Sequence, residues 1–203
     1  MKKLLPILGM VSFLIAVACE ETYKPIGPRP LPPPAPTSPA NVLKNVEISF
    51  NQRNIDTLKR VLSPNFVFYF NPREIGRPRP EGTPYRLPSS YSFTEFWHIA
   101  YNMFKTAYSI YLSIPTGRVG EPEPEENTYR ADNIDLALLV MVDELNGYIA
   151  DKGYCNFEFE SYPTKEGKKY WRLTNWWDRT AAVNGKSNGV KPSSLGRILA
   201  MYR

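Results

Sequence analysis

Few side chains in this chain are of a kind that moves protons or attacks a carbonyl, and they are scattered along it. Asp135, on the apolar run "NIDLALLVMV", is a possible general base. Tyr69 in "NFVFYF" and Tyr111 in "YSIYLSI" are phenols able to donate to a developing oxyanion. Asp135 also follows closely on Asp132 and Asn133, which equally places it at an exposed strand end, because aspartate is seldom buried unpaired. His98 is the sole histidine, so a multi-histidine metal centre is excluded. On a helix it would neighbour Thr94, Asn102 and Lys105, the surroundings of a solvated flank residue more than of a general base. No G-x-S-x-G elbow, phosphate-cradling glycine loop, dinucleotide fingerprint or paired-cysteine metal motif is present, so neither a metal nor a cofactor is expected. In "NWWDRT", Trp176 and Trp177 face opposite sides of a strand. One suits the core, the other a covering helix or a ligand, and Asp178 with Arg179 reads as a charge pair at the strand end. Cys155 alternates with Phe157 and Phe159, the pattern of an inert core thiol.

These groups must be positioned by a chain that opens with an export signal. Lys2 and Lys3 precede an apolar stretch, Leu4 to Ala18, shorter than the roughly 20 residues of a membrane-spanning helix. Ala16, Val17 and Ala18 before Cys19 resemble a bacterial lipobox, which implies removal of residues 1–18 and acylation of Cys19. The same three residues form an A-x-A site for ordinary cleavage, which leaves Cys19 a thiol able to pair with Cys155, the only other cysteine. Glu20 after the cysteine, by analogy with diderm lipoproteins, favours the outer membrane of a bacterial cell envelope. Eight prolines between Pro25 and Pro39 make residues 19–39 an extended spacer between the anchor and a single domain, residues 40–203.

The formal charge of the whole chain is +5, with the excess toward the C-terminus. The basic residues are dispersed, and an exported chain seldom meets nucleic acid, so a solvated face is expected and nucleic acid is not a partner. The acidic "EPEPEE", Glu121 to Glu126, lacks the spaced ligands and the glycine of a calcium loop and reads as an exposed connection.

The domain begins with two short helices. Ser38 and Pro39 start the first, with Leu43, Val46 and Phe50 as its apolar stripe; Asn54 caps the second, with Ile55, Leu58 and Leu62. "NFVFYF" is a strand with Phe66, Phe68 and Phe70 on one face. The capping pair Ser92 and Glu95 opens a third helix that carries Phe93, Phe96, Trp97, Ala100, Met103, Phe104 and Ala107 along one side. The chain then reads as an antiparallel meander: "YSIYLSI", a central strand "NIDLALLVMV", "GYCNFEFES" and "KKYWRLTNWWDRT". Residues 181–190 read as a loop, and "PSSLGRILAMYR" as a short closing helix capped by Ser193 or Ser194. The class is α+β.

The opening "SPANVLKNVEISFNQRNIDTLKRVLSPNFVFYF", the helix "FTEFWHIAYNMF" and the last strand "YWRLTNWWDRT" resemble the NTF2-like superfamily, the fold of ketosteroid isomerase and SnoaL-like cyclases, in its exported bacterial members. The resemblance implies a cone: a curved antiparallel sheet wrapped around three helices, with a short C-terminal helix and a cavity open at one end. Tyr69, Trp97, Tyr111 and Trp176 would then line a site for a small apolar ligand. In a catalytic member Asp135 would be the base, with Tyr69 or Tyr111 as donor and His98 a weaker candidate. Because this fold hosts catalysts, binders and scaffolds alike, three expectations stand. The first is a non-catalytic domain, tethered to the membrane by its lipid, that binds a small apolar ligand or an envelope partner. The second is an isomerase-type or cyclase-type enzyme, and the third a structural subunit that forms a homodimer through its sheet.

Overall fold

The computed structural model of the chain describes residues 32–78, 85–165, 167–182 and 189–203. The expected signal at 1–18, the lipidation site Cys19 and most of the proline spacer lie outside the described residues. Among those described, no helix is long and apolar enough to cross a membrane.

Helix α1 (Pro39–Asn51) starts where Ser38 accepts a hydrogen bond from the Asn41 N–H at 3.3 Å, with Pro39 in the first turn. It buries Val42, Leu43, Val46 and Phe50. Helix α2 (Ile55–Val61) is capped by Asn54, whose side chain accepts from the Thr57 N–H at 2.9 Å. Its last residue runs directly into strand β1 (Leu62–Tyr69), so the helix ends three residues before Pro64. Strand β2 (Ser90–Ser92) leads into α3 (Phe93–Thr106), where the Ser92 N–H donates to Glu95 Oε2 at 3.0 Å. On α3 the buried stripe is Phe96, Ile99, Ala100, Met103 and Phe104, with Trp97 half-buried at its margin.

Instead of one antiparallel meander there are two sheets. Besides β1 and β2, the strands are β3 (Ser109–Ser113), β4 (Thr128–Asp135), β5 (Ala137–Met141), β6 (Gly147–Ala150), β7 (Tyr154–Pro163), β8 (Lys169–Asp178) and β9 (Val190–Pro192), and the short helix α4 (Leu195–Ala200) comes last, capped by Ser194. The first sheet has the order β2-β1-β8-β7-β4, the second β3-β5-β6-β9. β1 with β8, and β6 with β9, are parallel pairs; the others are antiparallel. The run "NIDLALLVMV", expected as one central strand, is divided at the buried Leu136, where the chain leaves β4 in the first sheet and enters β5 in the second. On β5 Leu138 and Val140 are buried, while Ala137, Leu139 and Met141 on its other face are half-buried.

The free edge of β3 is closed by side chains of α1. Asn51 donates to Leu112 O at 2.9 Å and accepts from Leu112 N at 2.6 Å, and Glu47 accepts from Ile114 N at 2.9 Å. An edge that would otherwise invite another strand is thereby occupied. The end of the proline segment is likewise tied down. Trp171 N–H donates to Pro36 O at 2.8 Å and Asn45 Nδ2 to Pro34 O at 2.8 Å. The compact unit accordingly starts at Pro32, earlier than the expected boundary at residue 40, because proline carbonyls remain strong acceptors and this domain supplies donors for them.

One irregularity sets which side chains enter the core. Between β7 and β8, Glu158 pairs with Asn175 while Phe159 pairs with Leu173, so Thr174 is an extra residue on β8. A one-residue insertion reverses the facing of the residues beyond it. Trp171 and Leu173 point inward before it, and Trp176 and Asp178 after it. Trp176→Ala should therefore cost about 3–5 kcal/mol in urea denaturation, whereas Trp177→Ala on the other face should cost about 1 kcal/mol. Equal losses would contradict this facing.

Candidate functional site

The interior where a cone would hold a ligand is filled by aromatic side chains. Phe68 meets Phe70 edge-on at 5.2 Å, Phe96 in a stack at 5.6 Å and Trp176 at 5.7 Å, and Phe157 lies 5.3 Å from Trp176. All of these rings are fully buried. None of them lines any of the five surface clefts described, the largest of which, about 430 Å³, lies between the docked prolines and Tyr162, Tyr170 and Arg172.

Asp178 brings a carboxylate into this interior. Asp178 is 0% exposed. Its Oδ1 accepts from Thr180 N at 2.7 Å and from Thr180 Oγ1 at 2.6 Å, and its Oδ2 accepts from Gly196 N at 2.8 Å; Thr180 Oγ1 in turn accepts from Leu195 N at 2.7 Å. With Ser194 accepting from Arg197 N and Ile198 N, the first four N–H groups of α4 all have partners. Gly196 allows the approach: a Cβ there would lie 2.5 Å from the Phe70 ring. Burial pushes the Asp178 carboxyl up to about 6; the Thr180 and Gly196 hydrogen bonds pull it down, and the charge of Glu74 adds to the rise. Cys155, opposite Asp178 in the ladder, is fully buried, and burial pushes its thiol up, as suits an inert core group.

The residues singled out from the sequence do not converge. Trp176 is sealed in the core and does not reach a cleft wall. Asp135 stands at the end of β4, its side chain 62% exposed and 3.5 Å from Arg118, so it is a surface ion-pair partner. Tyr111 is exposed on β3. His98 is exposed on α3 beside Trp97, which stacks on Tyr101 at 5.6 Å. Tyr69 lies on the outer face of the first sheet, stacked on Trp177 with ring centres 5.3 Å apart and planes 6° from parallel. The guanidinium of Arg130 sits 4.9 Å over that same Trp177 and also pairs with Asp132 at 2.9 Å. On the same face Asn175 donates to Glu158 at 2.5 Å. This half-exposed aromatic and charged surface, carried on rigid strands, is the candidate functional site. Arg130 and the buried role of Asp178 were missed in the sequence, where Trp177 stood only as one of two tryptophans facing opposite sides. Once Trp176 is assigned inward, Asp178, two residues later on the same strand, must share its side.

No protein-family model and no curated protein sequence matches the chain. Solved structures similar in fold include an NTF2-like superfamily protein from Salmonella enterica serovar Typhimurium (16% identity, 74% of this chain and 93% of that one, TM-score 0.44). Others are the Kfla4162 protein from Kribbella flavida (11%, 78% and 92%, 0.45) and AusH from Aspergillus nidulans (14%, 79% and 94%, 0.42).

Because the folded-state value of Asp178 lies above the unfolded one, the stability tied to it is complete below about pH 4 and is lost as pH rises through about 6, a swing of about 3 kcal/mol. Asp178→Asn removes the titration and sets an amide donor against a backbone donor. Urea midpoints from pH 4 to 8 should show a less stable variant that lacks this part of the wild-type decline. An unchanged pH dependence would contradict the assignment.

Proposed function

We propose that the protein is a lipid-anchored, non-catalytic binding domain of the bacterial cell envelope, which takes a protein partner on the outer face of its first sheet. The filled interior carries this reading, since a small apolar ligand would have to displace packed phenylalanines at a cost of several kcal/mol. An isomerase-type or cyclase-type reading has one observation in its favour, the raised Asp178 carboxyl inside the fold. Asp178, however, is fully buried and lines none of the five clefts described, so a substrate proton has no described route to it.

The surface around Tyr69, Trp177 and Arg130 has the residue types that dominate protein interfaces. It carries a cation, Arg130, and acids, Asp132 and Glu158, on neighbouring strands. A two-fold axis would bring the same aromatic and charged patch of a second copy against it, and homodimerisation is the association proposed for this face. The N-terminal signal and Cys19 supply the anchor, and the prolines supply the spacing.

Two outcomes are expected. The detergent-extracted chain should sediment as a dimer that weakens at least tenfold on Trp177→Ala; a wild-type monomer at all concentrations would sink the dimer. Labelled palmitate should enter the chain in a bacterial host and be absent from Cys19→Ala, and an unlabelled wild-type chain would refute the anchor.

A further inference from the structure

A second site lies beyond the Tyr69 and Trp177 end of the sheet face, where the loop after β1 meets the start of β7 and the end of β8. A cleft of about 360 Å³ is lined there by Asn71, Pro72, Arg73, Tyr154, Arg179 and Ala181. Among the described residues, two pairs of arginines near this end differ in their partners. Arg77 and Arg197 both reach the buried Glu74, at 3.7 Å and 3.1 Å. Arg73 and Arg179, the two that line the cleft, have no carboxylate within 4 Å among the described residues. The one acid next to Arg179 in sequence, Asp178, faces the interior with both oxygens taken.

The backbone that carries these two cations is fixed. Asn71 Oδ1 accepts from Arg73 N at 3.0 Å, while Asn71 Nδ2 donates to Thr180 O at 2.7 Å, so one buried amide ties the loop to the strand end. Arg179 N–H donates to Tyr154 O at 3.0 Å. Gly153 (φ +106) lets β7 start in contact with that strand end, since a Cβ there would lie 2.5 Å from Arg179 O. Two guanidiniums held on braced backbone, with a tyrosine and a proline as walls, form a receptor for an oxyanion: each fork can bind two oxygens of a carboxylate or phosphate. The volume leaves room for the body of a small molecule beyond its anionic group.

We propose that this cleft binds the anionic head, phosphate or carboxylate, of a small soluble ligand, through Arg73 and Arg179. The cleft residues do not include Tyr69, Trp177 or Arg130, so the proposal does not rest on the dimer. Both cations are arginines and keep their charge between pH 6 and 9.

The test is an NMR titration of the full chain with inorganic phosphate and, separately, with acetate, each against sodium chloride at equal ionic strength. The expected result is saturable shifts of the Gly153, Tyr154 and Arg179 amides with at least one of the two anions. These should weaken tenfold or more in Arg73→Ala and in Arg179→Lys, and stay unchanged in Arg77→Ala. Saturation by phosphate alone assigns a phosphorylated ligand, and by acetate alone or by both a carboxylate-sized oxyanion. Shifts that never saturate, that chloride reproduces, or that persist in Arg73→Ala would overturn the proposal. Arg73 is exposed on its loop, so its variant tests the site even if a change at Arg179 disturbs folding.

Discussion

The fold turns on a carboxylate in a place that ordinarily rejects one. Moving Asp178 out of water is costly, and its raised pKa records that cost. In return, with Thr180, it gathers acceptors for the start of a six-residue helix that is too short to be stable alone. The clamp fastens α4 over the end of β8 against Phe70, where the aromatic interior would otherwise open. The bulge at Thr174 makes this possible, because strict alternation from Leu173 through the same residues would turn Trp177 toward the core in place of Trp176 and Asp178.

The same arrangement separates the surfaces available for function. A core filled from within leaves no interior room for a ligand among the described residues, so recognition is left to the side chains that strands and loops display outside. The bulge that buries Trp176 also exposes Trp177 beside Tyr69, and the strand end that turns Asp178 inward turns Arg179 outward toward Arg73. One packing decision thus produces an aromatic face and, just beyond its end, a cationic cleft.

Much of the architecture was legible from local rules. Ser38, Asn54, the Ser92 and Glu95 pair and Ser194 mark helix starts because caps are short-range chemistry, and the alternation of Phe66, Phe68 and Phe70 or of Cys155, Phe157 and Phe159 gives the buried face directly. The division into two sheets was not legible, since continuous apolarity in "NIDLALLVMV" is the same whether a strand is central or crosses between layers. Nor was the docking of Pro34 and Pro36, which depends on donors from Asn45 and Trp171 far along the chain. The candidate site was legible at Tyr69 and, without a choice between the two, at Trp176 or Trp177. Its partners Trp177 and Arg130 come from strands whose neighbours are fixed by non-consecutive pairing, and local periodicity carries no such information.

Amide hydrogen exchange at Thr180, Leu195 and Gly196 reads the clamp most directly. With the buried carboxylate holding the helix start, these three amides should exchange as slowly as those in the middle of β7 and β8, opening only when the whole domain unfolds. Exchange at the rate of an exposed loop, while β7 and β8 stay protected, would mean that α4 is not held by Asp178 and that the interior is open at this end.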